Sequence, residues 1–232
     1  DEVLFVTLHT ENNVMNCLIV AATAREIAPF LEYYRNAKKT EHIDMHLDVL
    51  ISGIGMTATT YHLVKQFSIR KPDMVVQAGV AGCFDTSLPL GTVVAIKQDT
   101  IADESVVELK NLKTLFDLKL VPQNQPPYKN GWLINPANET LKRTKLKAVK
   151  GISVNQITTS KQIIRFYKEQ FNPVTESMEG AALHYVCLSE NVPFLQVRSI
   201  SNYIGERNKK KWNMADSIDG LNKELIRLLE SL

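Results

Sequence analysis

Asn16-Cys17-Leu18-Ile19-Val20-Ala21-Ala22 is a run without a single charge, and its reading decides the fold class. Continuous apolar character without alternation marks a strand buried on both faces, the kind found in sheets covered by helices. Similar stretches return at Asp73-Met74-Val75-Val76-Gln77-Ala78 and at Phe194-Leu195-Gln196-Val197-Arg198-Ser199-Ile200. Between the first two the period changes. Ile27, Phe30, Leu31 and Tyr34 are spaced for one helix face, and Tyr61, Val64, Lys65 and Phe67 keep helical spacing up to a stop before Pro72.

Working outward, His46 to Ile51 alternates as a second strand, Thr92 to Ile96 reads as another, and a further strand lies near Ala148–Ile157. Helices are expected from Ser160, a fitting N-cap, to Phe171, from Met178 to Glu190, and from Ala215 to Leu232. Strands and helices alternate with no internal repeat and no Gly/Ser linker, which predicts a single α/β domain with a largely parallel sheet. The polar stretch 105–145, with Pro122, Pro126, Pro127 and Pro136, is expected to hold a short helix and a mobile loop. Residues 1–13 are expected to form a short extension, native or vector-derived, ahead of a domain spanning 14–232.

Composition narrows the function classes. The 232 residues are 44% apolar and 22% charged, ordinary globular usage. A net charge of +2 offers no electrostatic case for nucleic acid or an acidic membrane. Cys17, Cys83 and Cys187 are far apart and make neither a CxxC pair nor a metal-ligand spacing, so a disulfide scaffold is excluded and a reducing cytoplasm is the expected compartment. No apolar run approaches the roughly 18 residues of a membrane span, and Asp1 to Asn13 lacks the charged-then-apolar order of a secretory signal. Neither a metal nor a cofactor is expected.

In open α/β sheets, ligands gather beyond the carboxyl ends of strands. Ala22–Glu26, Ser52–Met56, Gly79–Cys83 and Ser199–Asn202 all fall there, and Glu179 opens a helix at a further junction. Alone, each is ambiguous. Gly79-Val80-Ala81-Gly82 fits an anion or ring cradle and equally a tight turn. It is no Walker loop, and it lacks the third glycine of a dinucleotide fingerprint. Glu26 and Glu179, the latter with Glu176 three residues before it, read on their own as helix-start carboxylates favoured by the macrodipole before they read as a catalytic site. Asn202 fits a capped turn. His9, His42, His46, His62 and His184 are scattered, without an HExxH pattern, and read as structural or surface residues.

The combination is far more specific than its parts. Ala21-Ala22-x-x-x-Glu26, Ser52-Gly53-Ile54-Gly55, Ala78-Gly79-Val80-Ala81-Gly82, Ser177-Met178-Glu179-Gly180-Ala181-Ala182 and Arg198-Ser199-Ile200-Ser201-Asn202 occur in that order. This resembles the nucleoside phosphorylase/nucleosidase superfamily from about Met15 to the end of the chain, and especially its hydrolytic branch. That branch includes methylthioadenosine/adenosylhomocysteine nucleosidase and futalosine hydrolase. The resemblance implies a three-layer α/β/α sandwich with a mixed, largely parallel central sheet, a homodimer, and cleavage of a purine N-glycosidic bond by a nucleosidase domain over 14–232.

By position in the family pattern, Glu26 is the residue that activates water and Glu179 the one that grips the ribose hydroxyls, while Met178 and Ser177 lie along the sugar. Val80, Ala81 and Gly82 would line the purine, with Thr158 in the neighbouring Asn155–Thr159 segment. Phosphorolytic members carry a Gly-Asp-Pro-x-Arg segment after the first strand, whereas here that place reads Ala22-Thr23-Ala24-Arg25-Glu26. Hydrolysis is the implied outcome. Asn202 departs from the Ser-Asp of adenosine-type nucleosidases. An amide donates to O6 and accepts from a protonated N7, so Asn202 points to a 6-oxopurine. The strings Glu176–Ala182 and Ile200–Asn208, with Trp212, are most similar to futalosine hydrolase, whose substrate carries hypoxanthine and a benzoate tail on the way to menaquinone. Arg207, Lys209, Lys210 and Lys211 read for the most part as a solvated basic loop, with one of them available to meet that carboxylate, and Trp212 is read either as flanking its ring or as anchoring the last helix. Adenosine-type nucleosidase, purine nucleoside phosphorylase and a nucleoside-binding protein without turnover are the alternatives.

Overall fold

In the computed structural model, which describes residues 15–37 and 45–230, the opening run forms strand β1 (Met15–Ala21), buried from Asn16 onward. The expected extension, His9 and His42 lie outside the described residues. β1 sits between two parallel neighbours, β2 (Met45–Ile51) and β3 (Met74–Cys83). With strands numbered in chain order, β3 pairs in parallel with β10 (Phe194–Tyr203), which runs antiparallel to β4 (Val93–Asp99). β4 is parallel to β8 (Lys147–Ser153), and β8 to β9 (Thr175–Ser177). β9 then returns antiparallel to β3. The sheet is thus mixed and largely parallel, and it closes into a ring through β3, β10, β4, β8 and β9, with β1 and β2 as an open wing. β7 (Leu133–Ile134) adds to the far side of β4.

Two helical layers cover this sheet. On one face, α1 (Ala28–Ala37) and α6 (Met214–Leu229) bring Phe30, Leu221 and Leu225 against Ile19, Val76 and Val197. On the other, α2 (Met56–Ile69) and α5 (Gly180–Ser189) bring Leu63, Phe67, Leu183 and Val186 against Leu18, Val20 and Val75. Burying apolar area at roughly 25 cal/mol per Å² on both faces is what forces β1 and β3 to be apolar throughout rather than alternating. α4 (Lys161–Phe171) packs Tyr167 and Phe171 over Ile152 and Val154. Among the described residues no helix is long and apolar enough to cross a membrane.

Several expectations are corrected. Gly79–Gly82 is not a turn but the second half of β3, because β10 continues alongside it to Tyr203. The buried stripe of α2 is Met56, Thr59, Leu63 and Phe67, while Tyr61 and Val64 are 61% and 50% exposed. Ser160 occupies the N-cap position of α4, but its side chain makes no capping hydrogen bond. Within 105–145 the short helix is present as α3 (Asn138–Arg143). The expected loop is largely replaced by a hairpin, β5 (Ser105–Glu108) and β6 (Asn111–Thr114), followed by turns.

Candidate active site

The site exists because β3 outruns its neighbour. β1 pairs with β3 only as far as Gln77, and β9 meets it only from Gly82, so one edge of the backbone between them carries no strand. A cavity of about 380 Å³ opens there. Val80, Ala81 and Gly82 form its floor, Glu26, Glu179 and Asn202 its polar wall, and Ile54, Ile157, Trp212 and Met214 its apolar sides.

Glu26 lies in the turn after β1, just ahead of α1. Its carboxylate is turned away from the helix it was free to cap. Oε2 accepts from Thr23 N and Thr23 Oγ1, both at 3.0 Å, and Oε1 accepts from Val80 N at 3.1 Å, which uses the free edge of β3. Buried Asn222 of α6 fixes the turn itself: its amide donates to Glu26 O at 2.8 Å and accepts from Phe30 N at 3.0 Å. Three elements therefore agree on one carboxylate position.

Glu179 is the N-cap residue of α5, and it too makes no capping bond. Oε1 accepts from Gly55 N at 3.2 Å, and Oε2 pairs with Arg198 Nη1 at 3.3 Å. Arg198 is the residue that the sequence reading left out. It is only 1% exposed, and its Nη2 donates to Gln77 Oε1 at 2.9 Å. Burying a guanidinium is costly unless charge and donors are met, and these partners meet them. The signal was present: Gln196 and Arg198 are polar residues two apart in an otherwise apolar strand, so both point to one side. Gly79 faces Arg198 across the ladder, and a methyl there would fall on the guanidinium and within 3.1 Å of Glu26 Oε1. Bare backbone is what lets the two carboxylates share this wall.

Asn202 is aimed by an irregularity in β10. Ile200 pairs with Ala81 and Asn202 with Gly82, which leaves Ser201 as an extra residue, and such bulges re-aim side chains. Ser201 Oγ donates to Asn202 Oδ1 at 2.9 Å and Asn202 Nδ2 donates to Tyr203 O at 3.2 Å. A carbonyl accepts only from the nitrogen, so the amide orientation is fixed, and each end keeps one hydrogen-bonding position.

Ser177 and Met178 also line the cavity. Thr158 does not: it lies in an adjacent hollow and reaches the site through Glu176, whose Oε1 accepts from its backbone N–H at 3.0 Å. Arg207 is likewise outside the lining, with its guanidinium 5.6 Å over the ring of Trp212. Trp212 lines the cavity, and its Nε1 donates to Glu206 O. Lys211 is taken up by Glu206 at 2.8 Å. Of the histidines, His46 pairs with Asp48 on the surface, His62 bonds backbone carbonyls, and His184 is fully buried against Leu133 O.

A closed mixed sheet thus surrounds a strand-end cavity walled by two carboxylates and an amide. The profile of the phosphorylase superfamily matches residues 17–232, and the chain belongs to that superfamily. Within it, the chain stands among the nucleosidases, the superfamily's N-glycosidases. It is 29% identical over 217 residues to the 5′-methylthioadenosine/S-adenosylhomocysteine nucleosidase of Colwellia psychrerythraea, covering 84% of this chain and 86% of that one. It is 24% identical over 221 residues to the futalosine hydrolase of Thermus thermophilus, covering 91% and 94%. Solved structures show the same fold. The Helicobacter pylori methylthioadenosine/adenosylhomocysteine nucleosidase with butyl-thio-DADMe-Immucillin-A gives a TM-score of 0.77 at 21% identity, covering 94% of this chain and 99% of that one. The futalosine hydrolase of the same organism gives 0.73 at 21% identity with the same coverage.

Proposed function

We propose that this chain hydrolyses the N-glycosidic bond of a 6-oxopurine nucleoside, with futalosine as the substrate and hypoxanthine as the released base. The observation that carries this reading is the fixed amide of Asn202 on the cavity wall. Its spare N–H matches O6 and its spare carbonyl lone pair matches a protonated N7. Cleavage passes through an oxocarbenium-like sugar, so charge must be met at the ribose and at the leaving purine. Glu179, held by Arg198, grips the ribose hydroxyls. Glu26, held by Thr23 and Val80, orients and deprotonates the attacking water. Met178 packs along the sugar, and the backbone of Val80–Gly82 lies under the base. Trp212, with Arg207 stacked on it, stands at the apolar end of the cavity, where a benzoate-bearing tail finds both a ring and a cation.

A second reading, methylthioadenosine/adenosylhomocysteine hydrolysis, is favoured by the name of the Colwellia relative. One assay separates the two: free-base release from futalosine, inosine and methylthioadenosine, with and without phosphate, by the wild type and by Asn202→Asp. The expected result is phosphate-independent release of hypoxanthine with a free ribosyl product. In Asn202→Asp the 6-oxo to 6-amino ratio of kcat/KM should fall by on the order of 10²–10⁴, because a reversed hydrogen-bond pair leaves buried polar groups unmet. A wild type that prefers methylthioadenosine establishes the second reading, and a sugar 1-phosphate product overturns hydrolysis.

A further inference from the structure

Behind Arg198, strands β10 and β4 and helix α5 bring together Gln196, Asp99 and His184. Each is at most 1% exposed, and none of the three lines the cavity. The ring of Phe194 packs edge-on to His184, with centroids 4.6 Å apart. Apolar side chains of similar volume would fill this space without stripping water from polar groups. A buried polar cluster here needs an explanation, and the direction of its hydrogen bonds points to one.

Leu133 O can only accept, so His184 Nδ1, 2.9 Å away, carries the ring proton. Burial pushes His184 down to about 4, so at neutral pH the ring is uncharged and Nε2 is a bare acceptor. Asp99 Oδ2 is a second acceptor. The Gln196 amide must turn its nitrogen toward both, at 2.8 Å from His184 Nε2 and 3.3 Å from Asp99 Oδ2. Its carbonyl then accepts from Arg198 Nε at 3.2 Å. Gln77 stands opposite Gln196 in the ladder and accepts from Arg198 Nη2 at 2.9 Å. With Nε and Nη2 held by two amide carbonyls, Nη1 is left for Glu179 Oε2 at 3.3 Å and Val80 O at 3.5 Å.

We infer that Gln196 is a positioning residue for the reaction: aligned by His184 and Asp99, it sets the Arg198 guanidinium and through it Glu179. This rests on the reading of Glu179 as the carboxylate that grips the ribose. Without Arg198, Glu179 would keep only the bond from Gly55 N and could swing about it. The guanidinium is planar, so two anchors fix its plane, and losing one lets it tilt. Both anchors are neutral amides, which leaves the positive charge of Arg198 to Glu179. A carboxylate at position 196 would compete for that charge. Asp99 is kept at one amide's remove, where it orients Gln196 without contacting the guanidinium.

The test is a double-mutant cycle on the full chain, with base release followed from whichever of futalosine and methylthioadenosine the wild type cleaves. Gln196→Met keeps the volume and removes the carbonyl. It should lower kcat by on the order of 10–10², the worth of a hydrogen bond to a charged group. KM should stay within about threefold, as for an interaction that tightens in the transition state. In the Glu179→Gln background the same change should cost less than about threefold, because a residue that acts through Glu179 has nothing left to position. Additive losses, or wild-type kcat in Gln196→Met, overturn the inference and leave the reading of Glu179 intact. Wild-type kcat in Glu179→Gln removes both. One arm needs no folded Gln196 variant. Nitrogen NMR of the wild type with labelled histidine should show His184, identified by the signal that His184→Gln removes, protonated at Nδ1 and bare at Nε2. A proton on Nε2 would turn the amide carbonyl of Gln196 away from Arg198, and finding it there overturns the inference.

Discussion

At Glu26 three neutral donors converge on the carboxylate, whereas at Glu179 one of the two donors is a buried guanidinium. That difference separates the consequences of the same substitution. On the proposed mechanism Glu26→Gln removes the base for water and should lower turnover by roughly 10²–10⁴ with a small change in melting temperature. Glu179→Gln should lower turnover to a similar degree and also cost about 1–3 kcal/mol, since Arg198 loses its counter-charge but keeps Gln77. Thermal melts and base release on the same two proteins check this. Near wild-type turnover in Glu26→Gln would remove that residue from the chemistry. Equal melting temperatures would mean that Arg198 does not depend on Glu179. Both carboxylates were legible in the sequence because they follow strand ends in a recognisable order of motifs. How Glu179 is held was not, because its partner Arg198 arrives from a strand far away in sequence.

Among the elements, β3 matters most, and its length was misjudged in the sequence. Two glycines in Gly79–Gly82 look like punctuation, yet the backbone stays extended because β10 pairs with it to the end. Other misreadings have equally local causes. The β5–β6 turn places Leu109 and Lys110 at φ 49° and 68°, where such turns ordinarily carry Asn-Gly, so no residue announces it. β9 has three residues, too few for any periodicity. The buried stripe of α2 includes Thr59, which a hydropathy pattern passes over in favour of exposed Tyr61 and Val64. The apolar cores of β1, β3 and β10, by contrast, were plain from composition alone. The structural demand on β3 is testable at Gly79. An added methyl would press on Arg198 and crowd Glu26 Oε1, so Gly79→Ala should cost about 1–3 kcal/mol and lower turnover by at least roughly tenfold. Denaturant melts and turnover measured together decide it. A stable variant with turnover within threefold of wild type would show that the wall tolerates a side chain there.

At the scale of the whole molecule, closing the sheet into a ring leaves polar groups inside it. Asp99 of β4, Gln196 of β10 and His184 of α5 meet there. With its amide oriented to suit its neighbours, Gln196 donates to His184 Nε2 at 2.8 Å and Asp99 Oδ2 at 3.3 Å, and accepts from Arg198 Nε at 3.2 Å. Gly180 rests its bare backbone on the same amide and carboxylate, which ties the start of α5, and with it Glu179, to this cluster. Burial pushes Asp99 up to about 6 against the hydrogen bond from Ser153 and the charge of Arg198. Burial pushes His184 down to about 4 against its bonds to Leu133 and Gln196. Unfolded reference values are about 3.9 and 6.5. From pH 4 to 6 the folded chain holds a proton on Asp99 that the unfolded chain has lost, so this group makes stability fall as pH rises. From pH 4 to 6.5 the unfolded chain holds a proton on His184 that the folded chain lacks, so this group makes stability rise. At about 1.4 kcal/mol per tenfold in proton affinity the two effects are each roughly 3 kcal/mol and largely offset. Removing either group should expose the other. Relative to wild type, Asp99→Asn should gain stability with rising pH across this window, and His184→Gln should lose it, by about 1–3 kcal/mol each. Urea melts of the three proteins at half-unit steps from pH 4.5 to 7 give the slopes. Parallel curves for both variants would mean that the two groups titrate in the folded chain as they do in water, and that the interior of the ring is open to solvent.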